Sequence, residues 1–130
     1  MPLRLHDTRR REKVDFKTQS PGKVGMYVCG VTVYDLCHLG HARCYIAFDL
    51  IHRWLEASGY DVDYVQNFTD IDDKIIKRSI ESGEDWKVLV EKNIETYYED
   101  MDSLNILRAD HYPRCCAVTR VWCGRRRWGA

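Results

Sequence analysis

Residues 24–41 of the chain read VGMYVCGVTVYDLCHLGH, and this stretch decides the fold. Its first part, Val24–Val28, is rich in β-forming residues and follows a Pro-Gly turn, so it predicts a buried strand. A loop over residues 29–40 comes next. Residues 41–58 then carry apolar pairs at helical spacing, which predicts an amphipathic helix.

The chain after this helix completes a parallel βαβ unit. Gly59 suits the left-handed position just past a helix end, and Val62–Phe68 predicts a second strand. A strand, a helix and a strand with short connections indicate the α/β class, here a partial Rossmann-like nucleotide-binding fold with additional helices. We expect a short helix over Ile71–Ser82, ended by Gly83. A longer helix follows, with apolar positions three and four apart at Trp86, Val90, Ile94, Tyr97, Met101 and Leu104.

Composition indicates one soluble globular domain that does not enter a membrane. The 130 residues are 45% hydrophobic and 31% charged, and no apolar run approaches the ~20 residues of a membrane span. The start of the chain lacks an apolar signal segment and carries acids at Asp7 and Glu12, which predicts a cytoplasmic location. Residues 1–114 hold 16 basic and 20 acidic side chains, so charge gives no nucleic-acid footprint.

The last residues differ from the rest. Residues 115–130 contain four arginines, no acid and neither strand nor helix periodicity, so we predict a domain over 1–114 followed by an aberrant tail from a shifted reading frame. The chain has six cysteines and no export signal, which indicates reduced thiols, a metal ligand or a reactive site. No Cys-x-x-Cys pair is present, so a self-contained four-ligand zinc site does not fit.

The loop after the first predicted strand is the expected ligand site, because ligands bind at the carboxyl ends of parallel strands. Gly30 and Gly40 permit close backbone approach, and a helix beginning near His41 directs N–H groups and a positive dipole end toward a triphosphate. His38 and His41 lie three apart on one face and could donate to the same phosphate rather than act as bases. On pattern alone, a chance pair of histidines or a zinc-binding pair remains an alternative.

Two blocks of sequence resemble class I cysteinyl-tRNA synthetases. Residues 26–35, MYVCGVTVYD, lead into His38-Leu39-Gly40-His41, which is similar to the His-Ile-Gly-His signature of the family with leucine in place of isoleucine. Residues 67–78, NFTDIDDKIIKR, are similar to the sequence that follows the second strand in the same family. The likeness continues to about Arg114.

The resemblance implies a cysteine–tRNA ligase that uses ATP with magnesium to form cysteinyl-adenylate and then charges tRNA(Cys). The complete enzyme is expected to be a monomer that needs zinc. The resemblance assigns catalytic roles to His38 and His41, ATP binding to these two with Gly30, Thr32 and Gly40, substrate binding to Thr32 and Thr69, and the first zinc ligand to Cys29. A zinc ion would hold the thiol of substrate cysteine and so discriminate against serine.

The family pattern is only partly present. The other three zinc ligands and the second phosphate signature of the family lie further downstream, so we predict a truncated chain with little or no synthetase activity. Alternatives are the cysteine ligase of mycothiol synthesis and a non-catalytic remnant that binds adenine nucleotide. Asp70, Asp72 and Asp73 are interpreted as ordinary partners of a helix dipole rather than a magnesium cluster, and Cys37 and Cys44 as structural.

Overall fold

The computed structural model describes residues 3–116, and that part of the chain forms four strands and three helices. The strands are β1 (Arg4–Asp7), β2 (Glu12–Asp15), β3 (Lys23–Val28) and β4 (Asp61–Gln66), and the helices are α1 (Leu39–Ala57), α2 (Asp73–Ser82) and α3 (Trp86–Ser103). None of these three helices is long and apolar enough to cross a membrane. Apart from Cys115 and Cys116, the predicted tail lies outside the described residues.

Strands β3 and β4 pair in parallel, and α1 connects them. Their register runs from Lys23 opposite Asp61 to Val28 opposite Gln66. Gly59 follows the end of α1 with φ of 87°, the left-handed conformation expected there. The α/β class and the βαβ unit are therefore confirmed. The helix begins at Leu39 rather than near His41 because the residue before Leu39 caps it.

A third parallel segment, residues 109–115, lies along the other edge of β4. The amide of Phe68 donates to the carbonyl of Pro113 at 3.0 Å, and the Phe68 carbonyl accepts from the amide of Cys115 at 3.1 Å. This segment was not predicted as a strand, because it contains a proline and lacks apolar alternation. Strand β4 is therefore central in the described sheet, with β3 on one side and residues 109–115 on the other.

The buried core joins the strands to α1, α2 and α3. The Phe68 ring stacks on Tyr112 with centroids 5.2 Å apart and meets Tyr97 edge-on, also at 5.2 Å. The central apolar positions predicted for α3 are buried, whereas Leu104 at its end is 44% exposed. The buried core includes Val28, Val31, Val33, Tyr45, Tyr64, Phe68, Ile75, Val90, Ile94, Tyr97 and Met101.

The apolar pairs that predict α1 lie on two sides of the helix. Tyr45 and Leu55 are buried at 3% and 4% exposure, whereas Leu50 and Trp54 are 66% and 61% exposed. Periodicity therefore identified the helix correctly but did not identify its buried face, because apolar residues occupy more than one side.

The polar start of the chain forms an antiparallel hairpin of β1 and β2, which was not predicted. Arg4 lies opposite Asp15, and the carboxylate of Asp7 accepts the amide of Arg9 at 2.8 Å in the turn. Six of the eight residues in these two strands are exposed, so no alternation of apolar and polar residues marks them. The strand predicted as the first is consequently β3.

Candidate active site

Backbone hydrogen bonds join the loop between β3 and α1 to the residues that follow β4. Thr32 and Thr69 form a parallel bridge. The amide of Thr69 donates to the Val31 carbonyl at 3.0 Å, and the amide of Val33 donates to the Thr69 carbonyl at 3.2 Å. The two predicted substrate-binding threonines, which are distant in sequence, therefore lie on adjacent strand ends at the carboxyl edge of the sheet.

The two histidines of the loop cap α1. His38 is the N-cap, and its Nδ1 accepts the amide of Gly40 at 3.0 Å. The Nδ1 of His41 accepts the amide of His38 at 3.2 Å, and the ring centroids are 4.0 Å apart. This is a capping box in which imidazoles replace the usual hydroxyl and carboxylate. The geometry brings both predicted catalytic residues together at the helix N-terminus.

The capping contacts fix the tautomer of both rings. An Nδ1 that accepts a hydrogen bond carries no proton, so the neutral ring holds its proton on Nε2. Burial, together with the neighbouring His38, lowers the pKa of His41 from its ordinary value of 6.5. The pair can therefore donate two Nε2–H groups to an anion, and its predicted role as a phosphate donor stays a prediction.

Gly40 lies in the first turn of α1, directly against the His38 ring. A β-carbon at this position would be 2.8 Å from His38 Cε1, too close for the ring to keep its place. The amide of Gly40 donates to His38 Nδ1, and the amide of His41 donates to the His38 carbonyl at 2.8 Å. These two amides are thus already used within the helix, and the Nε2–H groups of the imidazoles are further donors for a ligand.

Gly30 lies where β3 approaches the end of β4 most closely. A β-carbon on Gly30 would be 1.4 Å from the carbonyl oxygen of Asn67, so no other residue fits without moving the backbone. The Gly30 amide donates to the side-chain Oδ1 of Asn67 at 2.9 Å. Glycine here is a requirement of backbone packing.

Comparison with known proteins identifies the family of this chain. The family of tRNA synthetases class I (C) catalytic domains matches residues 15–121. The chain belongs to this family. It is 57% identical over 114 residues to a cysteine–tRNA ligase of Variovorax paradoxus (strain S110) and 55% identical over 113 residues to one of Cupriavidus taiwanensis. These matches cover 88% and 87% of the chain but 25% and 24% of the relatives, so the chain spans about a quarter of their length.

Solved structures of class I synthetases share the fold. A methionyl-tRNA synthetase of Mycobacterium tuberculosis in complex with methionyl-adenylate superposes with a TM-score of 0.61 at 27% identity, covering 69% of this chain and 18% of that one. A second structure, bound by methionyl-adenylate, gives 0.63 at 25% identity, covering 73% and 18%. The predicted class I synthetase fold is confirmed. The family match runs past Arg114 to residue 121, and the domain boundary at 114 stays a prediction.

Cys29, the predicted zinc ligand of this synthetase domain, is exposed just after β3. Its carbonyl accepts a hydrogen bond from the Tyr45 hydroxyl at 3.5 Å, and its thiol takes no part in that contact. Within residues 3–116, no group of three or more His, Cys, Asp or Glu side chains is placed to hold a metal. The described residues therefore contain one predicted zinc ligand, Cys29, and no zinc site of their own.

The remaining predicted polar and thiol residues have structural contacts. Asp72 caps α2, accepting the amide of Lys74 at 2.9 Å, as expected for a dipole partner. Asp70, in contrast, is 2% exposed and accepts the amide of Cys116 at 2.9 Å, so it lies outside the helix start. Burial, with a smaller effect of Asp100, raises the pKa of Cys37 to about 11, which keeps this thiol protonated.

Several residues that hold the loop carried no signal in the sequence. Buried Asn93 on α3 donates from Nδ2 to the Val33 carbonyl at 3.0 Å. On α2, Arg78 pairs with Asp35 of the loop at 2.9 Å. These contacts join residues far apart in sequence, and only the fold brings them together. The same is true of Asn67, which belongs to the second matched block but had no assigned role.

Proposed function

We propose that this chain forms the ATP-binding part of a cysteine–tRNA ligase. In the proposed reaction the carboxylate of cysteine attacks the α-phosphorus of ATP, pyrophosphate leaves, and the cysteinyl group then passes to the terminal ribose of tRNA(Cys). The observation that carries the proposal is the pair His38 and His41, whose Nδ1 atoms accept backbone amides at the start of α1. The relatives named cysteine–tRNA ligase support the same activity.

The histidine pair would bind the phosphates of ATP, which is expected to arrive with magnesium. Two Nε2–H donors, held in place by caps on Nδ1, would stabilise the negative charge that builds up as the α-phosphorus becomes pentavalent. Because these donors are fixed before ATP binds, little reorganisation is needed during the reaction. Neither ring would serve as a base, since each Nδ1 lone pair is already occupied.

The neighbouring residues would contact the rest of the adenylate. Gly40 would lie under the adenine or ribose, where a side chain would displace the His38 ring. Gly30 and Thr32 would line the junction of amino acid and nucleotide, and Thr69 would border the amino acid from the end of β4. The bridge between Thr32 and Thr69 supports this arrangement, because it brings both hydroxyl-bearing residues to one sheet edge.

Zinc enters the proposal only through Cys29. An exposed thiol at the end of a strand fits one ligand of a four-coordinate site, and the other three would have to come from outside residues 3–116. When bound, zinc would supply selective binding of the substrate thiol. Since the described residues supply one predicted ligand and a single ligand binds zinc poorly, we propose that the 130-residue chain binds ATP but activates cysteine little or not at all. A monomeric full-length enzyme in the cytoplasm is part of the same proposal.

The test is ATP binding by calorimetry with magnesium present. Replacing His38 or His41 by alanine removes a donor to a charged phosphate, and we expect affinity to fall about 10- to 100-fold. The control is His6→Ala, because His6 is exposed on the hairpin and away from the loop. Equal ATP affinity in all three variants would contradict the proposal. Cysteine-dependent pyrophosphate exchange with added zinc should stay near background. Turnover like that of a full-length enzyme would contradict the proposed lack of activity.

A further inference from the structure

The parallel pairing of β3 and β4 is interrupted at the candidate site by one extra residue. Val28 lies opposite Gln66, and the next bridge joins Thr32 to Thr69. The chain thus advances four residues from Val28 to Thr32 but three from Gln66 to Thr69. One surplus residue on one strand is a bulge, which bends the strand and redirects its side chains. Here the bulge falls on residues 29–31, which include the exposed Cys29.

The side chain of Asn67 fills the gap that the bulge leaves in the ladder. Its Oδ1 accepts the Gly30 amide at 2.9 Å and the Tyr27 hydroxyl at 2.7 Å. Its Nδ2 lies 3.4 Å from Thr69 Oγ1 and 3.7 Å from Cys115 Sγ. One amide group therefore contacts all three strand ends of the described sheet.

The backbone of Asn67 contributes as well. A β-carbon added to Gly30 would lie 1.4 Å from the Asn67 carbonyl oxygen, so the two chain segments are in direct contact. An amide side chain is suited to this position because it accepts on one atom and donates on another. A carboxylate could keep the contact to Gly30 but could not donate to Thr69.

We infer that Asn67 is a positioning residue that holds the bulge at residues 29–31 and so sets the spacing between Gly30 and Thr69. The inference rests on the proposed function, in which these residues flank the aminoacyl end of the adenylate. Asn67 itself would act through Gly30 and Thr69. Losing it should weaken binding of the aminoacyl part of the ligand more than binding of the phosphates, which the histidine pair contacts.

The first measurement needs no ligand and follows amide hydrogen exchange by NMR in the full chain. In Asn67→Ala the Gly30 amide loses its acceptor, and we expect its exchange to accelerate about 5- to 10-fold relative to amides of α3. Asn67→Asp keeps Oδ1 and should restore the protection of Gly30. The matched control is Gln66→Met, since Gln66 is the neighbouring amide but bonds buried Tyr97 at 2.6 Å. It should lower the melting temperature without a selective effect on Gly30.

The second measurement compares ATP with a non-hydrolysable cysteinyl sulfamoyl adenosine. For Asn67→Ala we expect affinity for the analogue to fall about 5- to 10-fold and affinity for ATP to change by less than about twofold. An unchanged analogue affinity, or a Gly30 amide that exchanges no faster than those of α3, would overturn the role of Asn67. If the wild-type chain binds neither compound, the proposed function fails, and the Gly30 exchange alone decides whether Asn67 holds the bulge.

Discussion

The structure gives His38 a capping role and the proposed function gives it a second, and two substitutions separate them. Its Nδ1 caps α1 by accepting the Gly40 amide at 3.0 Å, while Nε2 would donate to phosphate in the proposed function. Alanine removes both, and the loss of an N-cap costs about 1 kcal/mol of folding free energy. Asparagine is among the best N-cap residues, so His38→Asn should retain most of that stability while lacking the donor at the Nε2 position.

The assay pairs thermal denaturation with ATP calorimetry on the same samples. For a chain of this size, a loss of about 1 kcal/mol lowers the melting temperature by about 4 °C. We expect this shift in His38→Ala, a much smaller one in His38→Asn, and ATP affinity about tenfold weaker in both. If asparagine destabilised the chain as much as alanine, the capping role would be wrong. If asparagine preserved ATP affinity, the donor role of the ring would be wrong.

Two further predictions test the other end of the capping box and the bulge. Because the pKa of His41 is lowered below 6.5, the unfolded chain binds a proton that the folded chain does not. The free energy of unfolding should therefore fall as pH drops below 6.5 and level off once the folded ring is protonated. His41→Gln, which keeps the capping box, should reduce this dependence of stability on pH. An unchanged dependence would exclude His41 as its source. Gly30→Ala places a β-carbon 1.4 Å from the Asn67 carbonyl oxygen and should cost about 3 kcal/mol or more in denaturant unfolding. Gly25→Ala, which meets nothing within 4 Å, is the control, and equal stability of the two variants would refute the packing argument.

The sequence predicted the elements whose burial leaves a pattern and missed those without one. Strands β3 and β4 and the three helices carry apolar runs or stripes, so their existence and order were predictable. The hairpin of β1 and β2 is mostly exposed on both faces, and residues 109–115 include Pro113, so neither shows alternation. The family resemblance assigned Thr32 and Thr69 to substrate binding, but their pairing was not predicted, because it depends on register across the whole βαβ unit.

In the proposed function, the capping box would also hold the donors that bind a triphosphate. A doubly protonated His41 would have to turn its Nδ1–H toward the backbone N–H of His38, so this cap favours the singly protonated ring of His41. The charge of ATP would then be met by oriented Nε2–H donors and the helix dipole rather than by a cation within the loop. Such donors keep their strength above pH 7, where a histidine cation would be lost. The Nδ1 contacts that cap the start of α1 at Leu39 would therefore also orient the Nε2–H donors.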